Sequence, residues 1–350
     1  MTTSNPRLIA LATAVPPYAL GQAEVAARAR HLFAETASID LDRMMPVFAN
    51  AGIERRYSCV PIDWYDRPHG WVERNALYLD HALELLERAT RSVLAQARLQ
   101  PRDIGAIVAV STTGIATPSL DALLIDRLGF DPRTRRLPIF GLGCAGGVIG
   151  LSRAATLARV VPDSRVLLLV VELCALTFRK RDTSKSNLVA TALFGDGAAA
   201  AILACDGTGA ALAGSGEHTW PGSLAVMGWE VAEDGLKAVF SRDIPTIVRD
   251  QLRDAATEFL AREDLTLQDI QEFICHPGGA KVLPALEEAF GLAAGTLADE
   301  RAVLRDFGNM SAATALFVLE RRLGRGARGR MLMTALGPGF TAGFQLLEAP

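Results

Sequence analysis

This chain lacks any long Lys/Arg block, and its most basic stretch, RRLGRGARGR (321–330), reads as a helix end and loop. Its 36 Lys and Arg are outnumbered by 39 Asp and Glu, for a formal net charge of -3, whereas binding nucleic acid through phosphate neutralisation needs the opposite balance. A cysteine framework is missing too. The five cysteines (59, 144, 174, 205 and 275) are odd in number, form no CxxC pair and make no Cys/His cluster at zinc spacing. That usage argues against a disulfide scaffold or a structural zinc site and suits a reducing cytoplasm. No apolar run approaches the roughly 18–20 residues of a membrane span. The opening NPRLIALATAV puts Arg7 before an apolar stretch, but Pro16 and Pro17 cut it short with no clear small-x-small site behind them. Residues 7–15 are therefore expected to form a first strand and not a leader. The partners left are small molecules and proteins.

The chain does have apolar mass: half of its 350 residues are apolar and 21% are charged, enough for a large core in two domains or two halves of one. Strand-like runs IGAIVAV (104–110), RVLLLVV (165–171) and RMLMTAL (330–336) alternate with helical periodicity such as 78–97. This is an α/β pattern with buried strands. Beneath it lies a repeat. LQPRDIGAIVAV at Leu99 matches LTLQDIQEFIC at Leu265, an offset of 166. FGLGCAGG at Phe140 matches FGNMSAAT at Phe307, an offset of 167, and RVLLLVV matches RMLMTAL at 165. Three matches in one order indicate a duplicated α/β unit, divided here as 1–205 and 206–350. GDGAAAAILA (195–204) matches GPGFTAGFQLL only at 142, so the first half carries an insertion over about residues 173–194. An insertion beside a site usually shapes it.

On this duplication the chemically informative residues converge. Cys144 and Asn309 fall at nearly equivalent positions, each at the start of a helix, and His276 follows the second-half strand EFIC. If the halves pack about a pseudo-twofold axis, these groups meet at the seam. A helix start favours a thiolate over a thiol, and Gly141, Gly143, Gly146 and Gly147 permit a tight turn with close backbone approach. Locally, Cys144 reads equally well as a small buried side chain. His276 alone reads as a hydrogen-bonded strand-end histidine, and Asn309 alone as an N-cap. Together they offer a nucleophile and two hydrogen-bond donors.

The motifs GLGCAGG, CHPGG, FGNMSAA, LFGDGAAA and GPGF, in this order over nearly the whole chain, resemble the type III polyketide synthases. These form the chalcone and stilbene synthase family within the thiolase-like condensing enzymes. The resemblance implies a five-layered αβαβα fold and a homodimer. It also implies iterative condensation of a starter acyl-CoA with malonyl-CoA, followed by cyclisation, with coenzyme A thioesters as substrates and no metal or redox cofactor. Cys144 matches the nucleophile. His276 would help hold it as thiolate and, with Asn309, would bind the thioester oxygen of malonyl-CoA, where an enolate develops on decarboxylation.

Other positions follow from the same resemblance. Phe194 matches a gate between the coenzyme A tunnel and the cavity, and Ala238 stands where plant members carry a second phenylalanine, which leaves the gate incomplete. Thr112, Cys174 and Thr177 match cavity-lining positions, and Thr117 matches one that reaches the partner's cavity. Gly337, Pro338 and Gly339 keep the turn of a loop implicated in cyclisation. Arg55 and Arg56, in IERRY, match a basic segment that meets coenzyme A phosphates, with Gly278 and Gly279 as further contacts. CAGG is one residue shorter than the plant pattern and resembles a bacterial branch, many of whose members take long fatty acyl starters and release alkylpyrones or alkylresorcinols. Small residues at 112, 174 and 238 fit that preference. The rivals are a β-ketoacyl-carrier-protein synthase of type III and a chalcone- or stilbene-like enzyme with an aromatic starter. A thiolase would want a second cysteine beyond Cys275. A Cys hydrolase would need a site for activating water, and a silent scaffold would have no use for all three polar groups.

Overall fold

The computed structural model describes residues 5–34, 40–161 and 165–350. Its strands, in chain order, are β1 (Arg7–Ala14), β2 (Tyr18–Gly21), β3 (Arg55–Ser58), β4 (Ile104–Val110), β5 (Arg135–Ile139), β6 (Arg165–Leu173) and β7 (Asp196–Ala204). The second half adds β8 (Ala210–Thr219), β9 (Met227–Ala232), β10 (Gly235–Phe240), β11 (Glu272–Cys275), β12 (Gly329–Gly337) and β13 (Thr341–Ala349). Nine of them form one sheet in the order β11-β12-β13-β8-β1-β7-β6-β4-β5.

That order reads as two copies set head to head. β4-β6-β7-β1 is mirrored by β11-β12-β13-β8, with a parallel pair first in each copy and antiparallel pairs after it. Within the sheet, among the described residues, the copies join where Arg7 and Leu8 of β1 pair with Ala211 and Ala210 of β8. β6 and β7 have no exposed position, as expected of strands covered on both faces. The repeat extends to detail: Gln100 with Asp103, and Thr266 with Asp269, form matching capping boxes just before β4 and β11.

The sheet halves fold back around two central helices, Gly146–Val160 and Thr314–Gly324. Both helices pack into one core with Val108, Val110 and Leu168 from the first half and Met331 and Met333 from the second. The outer face of the first half-sheet is covered by the Trp71–Ala97 helix, which buries Tyr78, Ala82, Leu85, Leu86, Ala89 and Val93 at helical spacing. The helices Arg253–Ala261 and Val282–Phe290 cover the other outer face. The result is the five-layered αβαβα arrangement. Contact between the central helices needs glycine at 147, where a Cβ would stand 2.2 Å from the Ala312 carbonyl oxygen. Among the described residues no helix is long and apolar enough to cross a membrane.

The inserted segment also forms. Between β6 and β7 lie a 3-10 turn, Cys174–Thr177, and the helix Lys185–Leu193, whereas β12 and β13 are joined by residues 338–340 alone.

Candidate active site at the seam of the two halves

Cys144 sits in a 3-10 turn, Gly143–Ala145, immediately before the first central helix, and Ser311–Ala313 is the matching turn before the second. By these bounds the offset is 168, Gly143 to Ser311. The two residues share a left-handed φ of 48° and 47°. The structural counterpart of Cys144 is therefore Ala312, and Asn309 stands just ahead of its turn. Ser311 keeps its unusual backbone because its N–H donates to Asn309 Oδ1 at 2.8 Å and its carbonyl accepts from Thr314 Oγ1 at 3.0 Å.

A continuous chain of contacts unites the three expected residues. The Cys144 thiol donates to Ser311 Oγ at 3.6 Å. Ser311 is held by Asn309, and Asn309 Nδ2 donates to the Gly278 carbonyl at 3.1 Å. Gly278 in turn lies beside His276, with a Cβ there standing 3.7 Å from Nε2. Cys144, His276 and Asn309 are all buried. The Asn309 amide spends one of its two N–H bonds on Gly278 and keeps the other. His276 is fixed through its main chain, N–H to the Thr334 carbonyl at 2.9 Å, while neither ring nitrogen has a partner. A buried imidazole without partners beside a free amide hydrogen is an arrangement open to a ligand oxygen.

Burial opposes the expected thiolate. It pushes the Cys144 thiol up to about 12, with Ser311 and Asn309 opposing and the charge of Glu172 adding to the rise. Burial likewise pulls His276 down to about 4. A helix start contributes only about 0.3–1 kcal/mol, too little to outweigh desolvation.

Thr112 braces the nucleophile: its Oγ1 accepts from Gly143 N–H at 3.2 Å, and its own N–H donates to Glu172 Oε2 at 3.0 Å. Glu172 was not foreseen. It is fully buried, its Oε1 has no partner, and burial raises it to about 7. The signal for it was a single acid at the end of the all-apolar run RVLLLVV. Ser311 was legible too, as the residue facing Cys144 when the two halves are aligned by sequence. The loop at 337–339 presses on the same turn: a Cβ at Gly337 would lie 2.3 Å from the Leu142 carbonyl oxygen, and one at Gly143 would lie 2.6 Å from Pro338 Cδ.

Cys174, Phe194 and Ala238 pack together with Ala190, and the Thr177 hydroxyl donates to the Cys174 carbonyl at 2.6 Å. Ala238, where the expected gate is incomplete, has aromatic neighbours. Trp229, which faces Ala238 across the β9–β10 pair, and Phe240 lie tilted against the Phe194 ring at 6.0 and 5.6 Å between centroids. Behind Phe194 and Cys174 lies a largely apolar pocket, part of it continuous with solvent. Leu20, Val25, Leu32 and Phe178 line its far side. Thr117 is exposed on the surface of its own chain.

The basic pair divides. Arg55 is exposed, its guanidinium 5.6 Å from the Tyr57 ring centroid. Arg56 is buried and its fork is spent on main-chain carbonyls, so it is not a coenzyme A contact. Alternation along β3 turns one side chain out and the next in. Gly278 and Gly279 lie at Asn309 and Leu193. Among the described residues no group of three His, Cys, Asp or Glu side chains is placed to hold a metal ion.

Comparison with known proteins agrees with this geometry. Residues 65–207 match the chalcone and stilbene synthase N-terminal domain, and residues 212–348 match the C-terminal domain. A 1,3,6,8-tetrahydroxynaphthalene synthase of Streptomyces peucetius is 38% identical over 350 residues, covering 97% of this chain and 92% of the relative. An α-pyrone synthesis polyketide synthase-like protein of Mycobacterium tuberculosis is 27% identical, covering 97% and 90%. The crystal structure of the tetrahydroxynaphthalene synthase of Streptomyces coelicolor, a bacterial type III polyketide synthase, superposes with a TM-score of 0.91 at 29% identity, covering 98% of this chain and 99% of that one. With a Cys, a His and an Asn gathered at the seam of a duplicated fold and both domains matched in order, this chain belongs to the chalcone and stilbene synthase family of type III polyketide synthases, which are acyltransferases.

Proposed function

We propose that this synthase loads a long-chain fatty acyl group from coenzyme A onto Cys144, extends it with malonyl-CoA and cyclises the product to an alkylpyrone or alkylresorcinol. The observation that supports the acyl chain is the largely apolar pocket behind Phe194 and Cys174, lined by Leu20, Val25, Leu32 and Phe178. In loading, the Cys144 sulfur, its proton passed to His276, attacks the thioester carbonyl and coenzyme A leaves as the thiol. Malonyl-CoA then loses CO2, and the electron pair of the broken C–C bond becomes an enolate. Asn309 and His276 donate to the enolate oxygen as its charge develops. The enolate carbon attacks the acyl carbonyl and expels the Cys144 sulfur. No step calls for a metal or redox cofactor. Arg55 meets the coenzyme A phosphates in this reading, which its exposure supports.

A homodimer goes with this reading. β5 ends the sheet with one open edge, and Phe140 directly after it is 60% exposed, with Ile115 51% exposed on the loop that carries Thr117. A second copy docking there would bring Thr117 to its partner.

The 38% identity to a tetrahydroxynaphthalene synthase favours a second reading, an aromatic product without an alkyl tail. Mass spectrometry of products from malonyl-CoA with acyl-CoA starters of graded length and with an aromatic starter separates the two. Tailed pyrones or resorcinols from long starters support the proposal, and tail-free products alone overturn it. Activity that requires malonyl carrier protein in place of malonyl-CoA would point to a fatty-acid-type condensing enzyme.

A further inference from the structure

Arg56 is an anomaly once it is withdrawn from coenzyme A. It is 3% exposed, still charged at neutral pH although burial pulls it down to about 10, and bonded to no carboxylate. Burying a cation costs several kcal/mol unless its donors are met. Here the two Nη nitrogens meet oxygens at one place, while Nε has no partner. Nη1 donates to the Thr191 and Phe194 oxygens at 2.7 and 2.8 Å, and Nη2 donates to the Ala192 oxygen at 2.6 Å and to Gln22 Oε1. Gln22 completes the knot, its Nε2 donating to the Ala192 oxygen at 3.1 Å and to the Phe48 oxygen at 3.0 Å. Thr191 and Ala192 end the Lys185–Leu193 helix, whose last carbonyls have no partners within the helix.

The strip held in this way is the one on which Asn309 is mounted. The Leu193 carbonyl accepts the Asn309 N–H at 2.9 Å, and the Gly195 N–H donates to the Asn309 carbonyl at 3.0 Å, the bridge that sets Phe194 beside Asn309. The arginine stem touches both sides: a Cβ at Gly195 would lie 3.3 Å from the Arg56 Cβ, and one at Gly308 would lie 3.4 Å from it. We propose that Arg56, seated by Gln22, is a positioning residue that sets the Asn309 amide and the Phe194 ring through the 191–195 strip. It couples the oxyanion donor of the second half to the gate of the first. It touches no substrate, so its removal acts through Asn309.

The test is a double-mutant cycle on malonyl-CoA decarboxylation, with Arg56→Lys and Gln22→Ala each made in the wild-type and the Asn309→Ala backgrounds. A lysine has one nitrogen and cannot stand at both the Nη1 and Nη2 positions, and Gln22→Ala loosens the arginine while leaving it in place. With Asn309 present, Arg56→Lys is expected to lower kcat about 10- to 100-fold and Gln22→Ala about threefold, with KM within about twofold. In the Asn309→Ala background both losses shrink to less than about twofold, because the group being positioned is gone. Equal losses in the two backgrounds, or an unchanged kcat in Arg56→Lys, overturn the proposal by reducing the arginine to a plain helix cap. Should Arg56→Lys fail to fold by circular dichroism, the Gln22→Ala cycle decides alone. The proposal rests on Asn309 acting in decarboxylation. If Asn309→Ala by itself leaves that rate unchanged, the reading of Asn309 fails, and Arg56 is judged through Phe194. Gln22→Ala should then shift the kcat/KM ratio between a long and a short acyl-CoA about threefold or more, and an unshifted ratio overturns it.

Discussion

The Gly143–Ala145 turn carries a sulfur; the Ser311–Ala313 turn, its copy, carries a hydroxyl one position earlier and an asparagine just before it. Both turns open a central helix, begin on a left-handed residue and lean on each other across the seam. They differ in surroundings. The first half spends residues 174–195 on an insertion that supplies Cys174, Thr177 and Phe194, while the second closes the same gap with residues 338–340, which press on the nucleophile turn. One copy thus builds a chamber and the other a clamp. Duplication supplies two helix starts facing one centre, and later divergence gives each its own task.

Replacing the donors of the second half is the strongest way to break the comparison. Asn309→Ala should lower malonyl-CoA decarboxylation about 10²- to 10³-fold, the range for losing one oxyanion donor. Cys144 in that variant should still take up a radiolabelled starter, so retention of the rate, or loss of loading as well, would undo the division of labour. Next in size is the crossing of the central helices. Gly147→Ala places a methyl 2.2 Å from the Ala312 carbonyl and should cost about 1–3 kcal/mol, read as a lowered midpoint in urea. An unshifted midpoint would mean the halves are not pressed together there.

A smaller effect sharpens the role of the acid beside the nucleophile. Burial raises Glu172 to about 7, Glu300 to about 7 and Asp196 to about 6. A carboxyl whose folded value exceeds its unfolded one holds its proton longer in the folded state, so its contribution to stability is fully present below the unfolded value. It is lost as pH rises through the folded value. Thermal stability should therefore fall between about pH 4 and 7, and Glu172→Gln should make that fall shallower. The same change removes a charge that raises Cys144, so alkylation by iodoacetamide at pH 8 should quicken several-fold; slower alkylation would contradict the assigned sign. The smallest effect belongs to Ser311→Ala. It deletes the bond that opposes the rise at Cys144 and should slow alkylation by about twofold to fivefold, with the folded state retained.

Much of this was readable before any coordinates. The repeat announced the mirrored strands and the insertion, because hydrophobic periodicity and turn residues are local properties. Cys144, His276 and Asn309 were legible through motif order. Arg56 was not. Two adjacent arginines in IERRY look alike in sequence, and only the pleat of β3 sends one outward to solvent and the other into the helix end. The surroundings of Phe194 are hidden from the sequence for a similar reason. Ala238 is small, but its cross-strand partner Trp229 and its near neighbour Phe240 fill the space.

What the sequence by itself determined is the duplicated α/β unit, its extra segment and the three side chains that chemistry would use, since each is written in residue type and spacing. Tertiary structure alone decided how strongly burial shifts Cys144 and His276 and which arginine is buried. It also decided which aromatic rings close on Phe194. These depend on how much water is removed from each group and on which backbone comes to lie against it, and both are settled only when distant segments pack together.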